Sequence, residues 1–298
     1  MELISNTQQL ALLELLAAHK ARFLNFRGVH YLDIGFKYIT NILTSQLAIR
    51  IHVHQKKAAH LLDPAQLVPK QLGQLPTDVI QSNRRLDAAT INIRDTRFNP
   101  LIGGIAIRNL RHNLLGTLGA VVLDRQNQTW VGISNHHVLI NKNGKKGDPV
   151  TQPASNNIND IIGFVTRWDE KLDCAIFSLN NSRMIAPRIL DIPTAVTSIK
   201  EPLLGMTVVK SGRTTGKTYG VVEGVSEEEF TIVPLKNGPL PPDPEISAPG
   251  DSGSIWLDIT DHSAVGLHYA GEKDSAPQNE RAWAKKMNRI TAALDISF

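Results

Sequence analysis

The spacing of apolar residues gives the first hundred residues a mixed helix and strand character. Residues 7–24 repeat apolar side chains at helical spacing and predict an amphipathic helix. Two runs of alternating apolar and polar residues follow, at 29–38 and 47–54, and this period of two is typical of half-buried strands. The sequence therefore predicts a small α/β N-terminal domain that covers residues 1–97.

The pattern changes in the second part of the chain, residues 98–298. Short apolar runs recur there with Gly, Pro and Asn between them, and this arrangement is typical of a β-sandwich or β-barrels. Helical periodicity returns only at residues 278–294, which predict a C-terminal helix. Strands are expected at 117–123, 130–133, 161–165, 174–179, 207–210, 220–225, 230–233, 255–259 and 264–269.

Composition narrows the class of protein. The 298 residues are 42% hydrophobic and carry a formal net charge of only +4, without a basic run interleaved with aromatic residues, so nucleic acid is not an expected partner. Cys174 is the only cysteine, so the chain cannot form an internal disulfide and a reducing compartment fits. The apolar stretch 10–18 is short and interrupted by Glu14, which favours a helix over a signal peptide or a membrane span. We expect a cytoplasmic protein with no membrane contact.

Three short segments of the β-rich part carry residues suited to catalysis. They are Ser-Asn-His-His-Val at 134–138, an Asp at the head of the predicted strand 174–179, and Gly-Asp-Ser-Gly at 250–253. Each alone could be a strand cap or a turn. Together they place His137, Asp173 and Ser252 in the chain order His, Asp, Ser, which is one of the known orders of the serine-protease triad.

These segments resemble trypsin-like serine proteases over about residues 100–298, and Gly-Asp-Ser-Gly is the most specific of them. The Asn-His-His-Val segment is similar to the Asn-x-His-Val of HtrA-type members, which selects His137 rather than His136. Residues 208–218 also resemble a stretch of bacterial trypsin-like proteins and of plant Nal1-type proteins. The resemblance implies a mainly β fold with two six-stranded antiparallel β-barrels and a C-terminal helix, preceded by the small α/β domain.

The same resemblance implies a role for each residue of the triad. Ser252 would be the nucleophile, His137 the general base, and Asp173 the group that orients the imidazole. The backbone N–H groups of Gly250 and Ser252 would form the oxyanion hole. The expected activity is that of a serine endopeptidase that acts on a protein or peptide and needs no cofactor.

A second resemblance concerns the substrate. The segment 265–271 is similar to the Gly-Ile-His-Trp-Gly of glutamyl endopeptidases and to the Gly-x-His-Val-Gly of picornaviral main proteases, where the His lines the pocket for the residue before the scissile bond. Its match here is His268, and Gly271 ends the same segment. Ser247, five residues before the nucleophile, matches the hydroxyl residue of those families. Ser247, His268 and Gly271 are thus candidate substrate-binding residues, and a preference for Glu or Gln is expected. The alternative is that His268 is a partly exposed strand histidine.

Three other motifs give weaker indications of a function. Residues 212–218 look like a phosphate-binding loop, but three residues instead of four separate the first Gly from Gly-Lys-Thr, so a hairpin is favoured. Residues 101–104 are faintly similar to the new N-terminus of activated trypsins, yet Pro100 precedes them, and Asp251 then needs another partner. His52 and His54 share a strand face without a third ligand, so no metal site is expected.

Two further hypotheses stay open from the sequence. One is a catalytically silent or partner-activated binding or regulatory protein on the same fold, for which the Pro-rich loop at 234–249 is a candidate gate. The other concerns the N-terminal domain, which either docks on the barrels or recruits a protein partner.

Overall fold

Strands dominate the described part of the chain. The computed structural model describes residues 4–40, 42–82, 84–86, 93–235, 245–272 and 280–298. Short 3-10 turns lie at Ala59–Leu61, Pro64–Gln66, Ile93–Asp95 and Ile158–Asp160. The helices and strands are α1 (Asn6–Leu24), β1 (Val29–Ile39), β2 (Ile42–Val53), β3 (Gln71–Leu72), β4 (Leu75–Gln81), β5 (Arg84–Leu86), β6 (Leu101–Gly103), β7 (Ile105–Asn109), β8 (Leu115–Leu118), β9 (Ala120–Asp124), β10 (Thr129–Ser134), α2 (His136–Leu139), β11 (Pro149–Thr151), β12 (Ile161–Asp169), β13 (Cys174–Leu179), β14 (Ile185–Ile189), β15 (Thr207–Gly212), β16 (Gly216–Val225), β17 (Glu229–Pro234), β18 (Ile255–Asp258), β19 (Ala264–Glu272), β20 (Ala282–Lys286), α3 (Met287–Leu294) and β21 (Ile296–Ser297).

Helix α1 begins where its sequence provides a cap. Ser5 and Gln8 form a reciprocal capping box, in which each side chain accepts a hydrogen bond from the other residue's backbone N–H. Gln9 is buried, and its side-chain amide donates to the Pro202 carbonyl at 2.7 Å and accepts from the Leu204 N–H at 3.1 Å. The helix predicted at 7–24 is therefore confirmed, and it docks on the segment that leads into β15.

The first β unit is a curled sheet of eight strands. Its order is β21-β9-β10-β13-β12-β11-β7-β8. Strands β8 and β9 follow one another across Gly119, whose N–H donates to the Ile133 carbonyl of β10 at 2.8 Å. One bent stretch of chain therefore pairs with β7 at one end and with β10 at the other, which curls the sheet around its apolar face.

The second β unit is a closed barrel of six strands. Its strands pair in the order β15-β18-β19-β20-β17-β16, and pairing of β15 with β16 closes the ring. The mainly β, trypsin-like architecture expected from the sequence is confirmed, with one closed barrel and one curled sheet. Strand β16 also pairs with β1 at Ile34↔Val225 and Gly35↔Gly224, so β1, β2, β4 and β3 extend the barrel sheet. The boundary near residue 97 stays a prediction.

The C-terminal segment differs from the expectation. Helix α3 spans only Met287–Leu294, and the preceding residues form β20 between β17 and β19. Pairing on both sides stabilises the strand more than the helical periodicity of an isolated segment could. Apolar side chains of α3 pack in a core between the two β units, with Ile133 from the first and Leu267 from the second. Within the described ranges, no helix combines the length and apolar character needed to cross a membrane.

Four buried charges join the N-terminal hairpin to the barrel, and we call them the hairpin ion cluster: Asp33 of β1, Arg50 of β2, Glu223 of β16 and Arg281. Arg50 donates to both Asp33 carboxylate oxygens, at 2.7 and 2.6 Å, and lies 3.2 Å from Glu223. Arg281 donates to the other Glu223 oxygen at 2.7 Å. Burial alone would raise the pKa of Glu223, but Arg281 and Arg50 lower it to about 2. The cluster is therefore charged and balanced at neutral pH.

Candidate active site

His137 and Asp173 are brought together by neighbouring strands of the curled sheet. Strand β10 ends at Ser134 and the short helix α2 follows, while β13, which pairs with β10, starts directly after Asp173. The His137 Nδ1 lies 2.7 Å from Asp173 Oδ2, and the His137 backbone N–H donates to Oδ1 at 2.9 Å. Asn135 adds a hydrogen bond from its side chain to the Asp173 carbonyl at 2.8 Å. Asp173 thus holds both the ring and the backbone of His137.

This arrangement leaves the other ring nitrogen of His137 for chemistry. A carboxylate at Nδ1 holds that nitrogen as the N–H donor, so Nε2 carries the lone pair. Nε2 makes no hydrogen bond to any described residue, and the residue is 8% exposed. A basic nitrogen positioned in this way can accept a proton from a nucleophile.

Ser252 lies in a turn that requires glycine on both sides. Gly250 has φ +105° and Gly253 φ +94°, which side chains with a Cβ rarely adopt. A Cβ on Gly253 would also stand 2.2 Å from Ser134 Oγ and 2.3 Å from the Thr117 carbonyl. The turn packs this closely because it presses against the sheet that carries His137.

Hydrogen bonds fasten the turn 250–253, which carries Ser252, to the curled sheet. The Thr117 N–H donates to the Ser252 carbonyl at 2.7 Å, and its hydroxyl donates to the Gly250 carbonyl at 2.8 Å. The Ser252 hydroxyl lies 3.5 Å from the Tyr269 carbonyl oxygen and makes no hydrogen bond to His137 Nε2. The structure therefore joins His137 to Asp173 directly, whereas Ser252 is placed by the turn. Catalytic hydrogen bonds are commonly long or unformed before substrate binds.

A buried carboxylate fixes the turn from inside, and we call the groups around it the Asp251 clamp. Asp251 Oδ1 accepts from the backbone N–H groups of Thr214 and Thr215, at 2.8 and 3.1 Å. Oδ2 accepts from the Thr215 hydroxyl at 2.6 Å, the Lys210 ammonium at 3.0 Å and the Ala248 N–H at 3.1 Å. Burial alone would raise the pKa of Asp251, but Lys210 and the Thr215 hydroxyl hold it below its ordinary value. Asp251 is therefore an anion with a complete set of donors.

Lys210 answers a question that the sequence left open. It lies in the apolar strand β15, is fully buried, and supplies the cation that Asp251 needs. Leu101, where an activating cut would expose a new amine, instead donates its backbone N–H to the Met184 carbonyl at 2.8 Å. The partner of Asp251 is thus a side chain of the uncut chain.

The segment that looks like a phosphate-binding loop is the other half of the clamp. Strands β15 and β16 form a hairpin that ends at Gly212↔Gly216, as the sequence predicted. The two threonine N–H groups at its tip bind a carboxylate of the chain itself. Next to the tip, Arg213 donates to Asp95 at 2.7 Å. Donors aimed at an anion explain the sequence likeness without a nucleotide.

The three candidate substrate-binding residues lie ahead of the turn 250–253 or on strand β19. Ser247 is fully buried, and its hydroxyl has no hydrogen-bond partner among the described residues. His268 is also fully buried, contrary to the partly exposed alternative, and its ring packs edge-on against Trp256 at 6.3 Å between centroids. Gly271 lies on β19 and pairs with Arg85 of β5. The first two are buried polar groups, and Gly271 belongs to a strand edge.

Comparison with known proteins supports the fold. No protein-family model matches the chain, and no curated protein matches its sequence. Among solved structures, a Nocardiopsis protease aligns with 66% of this chain and 97% of its own, at a TM-score of 0.50 and 16% identity. Protease A of Thermobifida fusca covers 66% and 96% at TM-score 0.49 and 17% identity. A glutamic-acid-specific serine protease with a histidine triad for substrate binding covers 66% and 99% at 0.49 and 16%.

The chain has a trypsin-like fold. At these identities the likeness to the bacterial chymotrypsin-fold serine proteases shows the fold alone, and the relation to HtrA-type and Nal1-type proteins stays a prediction. The described residues of this trypsin-fold chain include no cluster of three or more His, Cys, Asp or Glu side chains arranged to hold a metal.

Sequence reasoning missed the residues that support the site. Lys210 ends a predicted strand, and a lysine directly after two valines of a predicted core strand is itself a signal of a buried charge partner. Thr117 and Thr215 gave no signal. The contacts of Thr117 depend on how the two β units meet, and those of Thr215 depend on how the β15–β16 hairpin meets the turn 250–253.

Proposed function

We propose that this protein is a serine endopeptidase that cleaves peptide bonds through an acyl-enzyme. The observation that carries the proposal is the His137–Asp173 pair, with Nδ1 bound to the carboxylate at 2.7 Å and Nε2 without a hydrogen bond to the described residues. A general base needs its ring oriented in this way, whereas a histidine with a purely structural role does not. The serine-protease structures with the same fold support the same conclusion.

The chemistry assigns one role to each residue. Ser252 Oγ attacks the scissile carbonyl carbon while His137 Nε2 removes its proton. Asp173 accepts the Nδ1–H hydrogen bond and stabilises the imidazolium that forms. The same proton then passes to the amine that leaves as the peptide C–N bond breaks. A water molecule, activated by His137 Nε2, next attacks the acyl-enzyme ester and releases the carboxylic acid product and the Ser252 hydroxyl.

The proposed oxyanion hole consists of the backbone N–H groups of Gly250 and Ser252. The Pro249 carbonyl accepts a hydrogen bond from the Thr214 hydroxyl at 2.7 Å, which fixes the orientation of the Pro249–Gly250 peptide and so of the Gly250 N–H. One such donor contributes about 3–4 kcal/mol of transition-state stabilisation. The Asp251 clamp would hold this geometry before substrate arrives.

We further propose that the residue before the scissile bond is Glu or Gln. Ser247 offers a buried hydroxyl without a partner among the described residues, and His268 is a buried imidazole in the same barrel. A buried polar group left unpaired costs about 1–3 kcal/mol, so a side chain that satisfies it is preferred over an apolar one. Profiling a peptide library tests this point, and cleavage chiefly after Arg, Lys or large aromatic residues would contradict it.

A fluorophosphonate probe tests the proposed activity. It should label the wild-type protein, and Ser252→Ala should abolish labelling, because the probe reacts with an activated serine hydroxyl. Ser254→Ala is the matched control, since Ser254 is buried in the same turn and should leave labelling within about twofold of wild type. Absence of labelling in the wild type would favour the rival hypothesis of a non-catalytic binding protein with this fold.

A further inference from the structure

Strand β19 has one edge covered by a neighbour and one edge that changes neighbours. Strand β20 covers the first edge along its length, from Gly266↔Lys286 to Gly271↔Ala282. On the opposite edge β18 pairs with β19 only as far as Ile255↔Leu267. Because a strand has two edges, the pairing of β5 with residues 270–272 must use the edge that β18 has left.

The nucleophile stands where this second edge becomes available. The Gly253 N–H donates to the His268 carbonyl at 2.9 Å, and the Ser252 hydroxyl lies 3.5 Å from the carbonyl of the next residue, Tyr269. The edge at 270–272 therefore begins beside Ser252. An extended peptide that pairs with this edge would pass directly by the hydroxyl, in the manner of strand addition to a sheet.

Strand β5 of the same chain occupies that edge. Its pairs are Arg84↔Glu272, Arg85↔Gly271 and Leu86↔Ala270, all antiparallel. The chain in β5 thus runs from the far end of the edge toward Ser252. A substrate must run in the same direction, because its residues before the scissile bond lead to the carbonyl that Ser252 attacks. Ser252 itself is fully buried.

Contacts on both sides of β5 attach it to the rest of the molecule. Ahead of it, the buried Ser82 donates its N–H to the Val53 carbonyl at 3.1 Å, and its hydroxyl lies 2.9 Å from His52 Nδ1. Beyond it, the Arg94 guanidinium donates to Ser211 Oγ at 2.7 Å and contacts Asp191. A strand tied at both ends competes with free peptide at an effective concentration on the order of millimolar.

We infer that β5 is an autoinhibitory strand, which fills the edge of β19 where a peptide substrate pairs its backbone. The inference rests on the proposed endopeptidase function. A substrate must displace β5 before it can pair with the edge. Its apparent affinity therefore equals its affinity for the open edge multiplied by the fraction of molecules in which that edge is open. The inhibitor strand comes from the N-terminal region, which gives that region a regulatory role.

Two proline variants test the pairing through the backbone. In an antiparallel ladder neighbouring residues point their N–H groups to opposite sides, so one of Arg85→Pro and Leu86→Pro removes an N–H that faces β19. The other is the matched control, because it introduces the same ring one residue away. Thermal denaturation should show that both variants fold.

Two measurements distinguish access of a peptide to the β19 edge from the reactivity of Ser252. Fluorescein-labelled casein must pair its backbone with β19, whereas an alkyl fluorophosphonate reaches Ser252 without a peptide chain. We expect casein hydrolysis by one variant to rise about tenfold, which corresponds to one or two lost backbone hydrogen bonds, with labelling within about twofold of wild type. An unchanged casein rate in both variants overturns the inference, and so does an equal rise in casein hydrolysis and labelling.

Hydrogen exchange keeps the inference testable if no form of the protein is labelled. That outcome would remove the proposed function, but the strand pairing would still be open to measurement in the same samples. Release of β5 should make those amides of 269–271 that face β5 exchange faster in one proline variant than in wild type. Equal exchange in all three proteins would show that β5 does not hold this edge.

Discussion

Two buried groups of charges lie in the same barrel sheet and are built differently. The Asp251 clamp directs one cation and four neutral donor groups toward a single carboxylate, within one turn and one hairpin tip. The hairpin ion cluster pairs two carboxylates with two guanidinium groups from separate parts of the chain. The first arrangement fixes a conformation at one point, whereas the second connects distant parts of the chain.

This difference predicts different consequences when a charge is lost. The clamp holds the turn that carries Ser252, so its damage should appear in catalysis. The cluster connects β1 and β2 with β16, so its damage should appear in stability. A buried ion pair adds little stability over a well-packed apolar pair, but a buried charge left without its partner is strongly destabilising.

The largest expected effect is the loss of stability in Arg50→Met. The change leaves Asp33 without its bidentate partner and leaves Glu223 with the Arg281 guanidinium and the Tyr38 hydroxyl. We expect the free energy of unfolding to fall by about 3–5 kcal/mol, as measured by urea denaturation. The folded fraction should still label with the fluorophosphonate probe at the wild-type rate.

The matched control for Arg50→Met is Arg125→Met, which removes the same charge from an exposed turn. It should change the free energy of unfolding by less than about 0.5 kcal/mol. A folded Arg50→Met protein with a strongly reduced labelling rate would break the comparison, because the cluster would then act on Ser252 as well.

The next effect in size is the loss of activity in Lys210→Met. Without the ammonium, Asp251 loses its only charged partner within the clamp, and the Gly250–Ser252 backbone loses its fixed position. We expect the rate of fluorophosphonate labelling to fall about 10²–10³-fold, the effect of losing an oxyanion-hole donor. Lys210→Arg, which keeps the charge, should restore part of the rate.

Lys217→Met is the control for this second comparison, since Lys217 lies on the same hairpin but is exposed. Its labelling rate should stay near that of wild type. If Lys210→Met lost stability but labelled normally once folded, the clamp would be a structural ion pair like the hairpin ion cluster.

The candidate catalytic residues could be proposed from the sequence, whereas the residues that surround them could not, for a physical reason. His137, Asp173 and Ser252 each lie in a short segment whose chemistry can be recognised locally. Asp33 and Arg50 also carried a local signal, because each interrupts an apolar run, but which strand would supply Glu223 and Arg281 depends on pairing across the whole chain.

Strand pairing explains the other differences between prediction and structure. Residues 282–286 have helical periodicity but form β20 because two neighbouring strands are available to them. Strand β5 has only three residues, and its partner on β19 is distant in sequence, so no local sequence pattern predicts it. Contacts of this kind become visible only when the sheet is assembled.

The smallest expected effect is in the acid stability of the hairpin ion cluster. The folded-state pKa of Glu223 is about 2, below its ordinary value of 4.5, because Arg281 and Arg50 outweigh the cost of burial. The charged carboxylate therefore stabilises the fold above about pH 4.5, and that contribution is lost as the pH falls toward 2. A depression of this size corresponds to about 3 kcal/mol.

Urea denaturation of wild type and Glu223→Gln between pH 6 and pH 2 measures this contribution. The variant cannot titrate at this position, so its free energy of unfolding should fall less steeply below pH 4.5 and approach that of wild type near pH 2. Other carboxyl groups titrate in both proteins and largely cancel in the difference. Parallel curves would contradict this prediction, because they would mean that Glu223 titrates alike in the folded and unfolded states. The charges of the hairpin ion cluster would then add no pH-dependent stability to the fold.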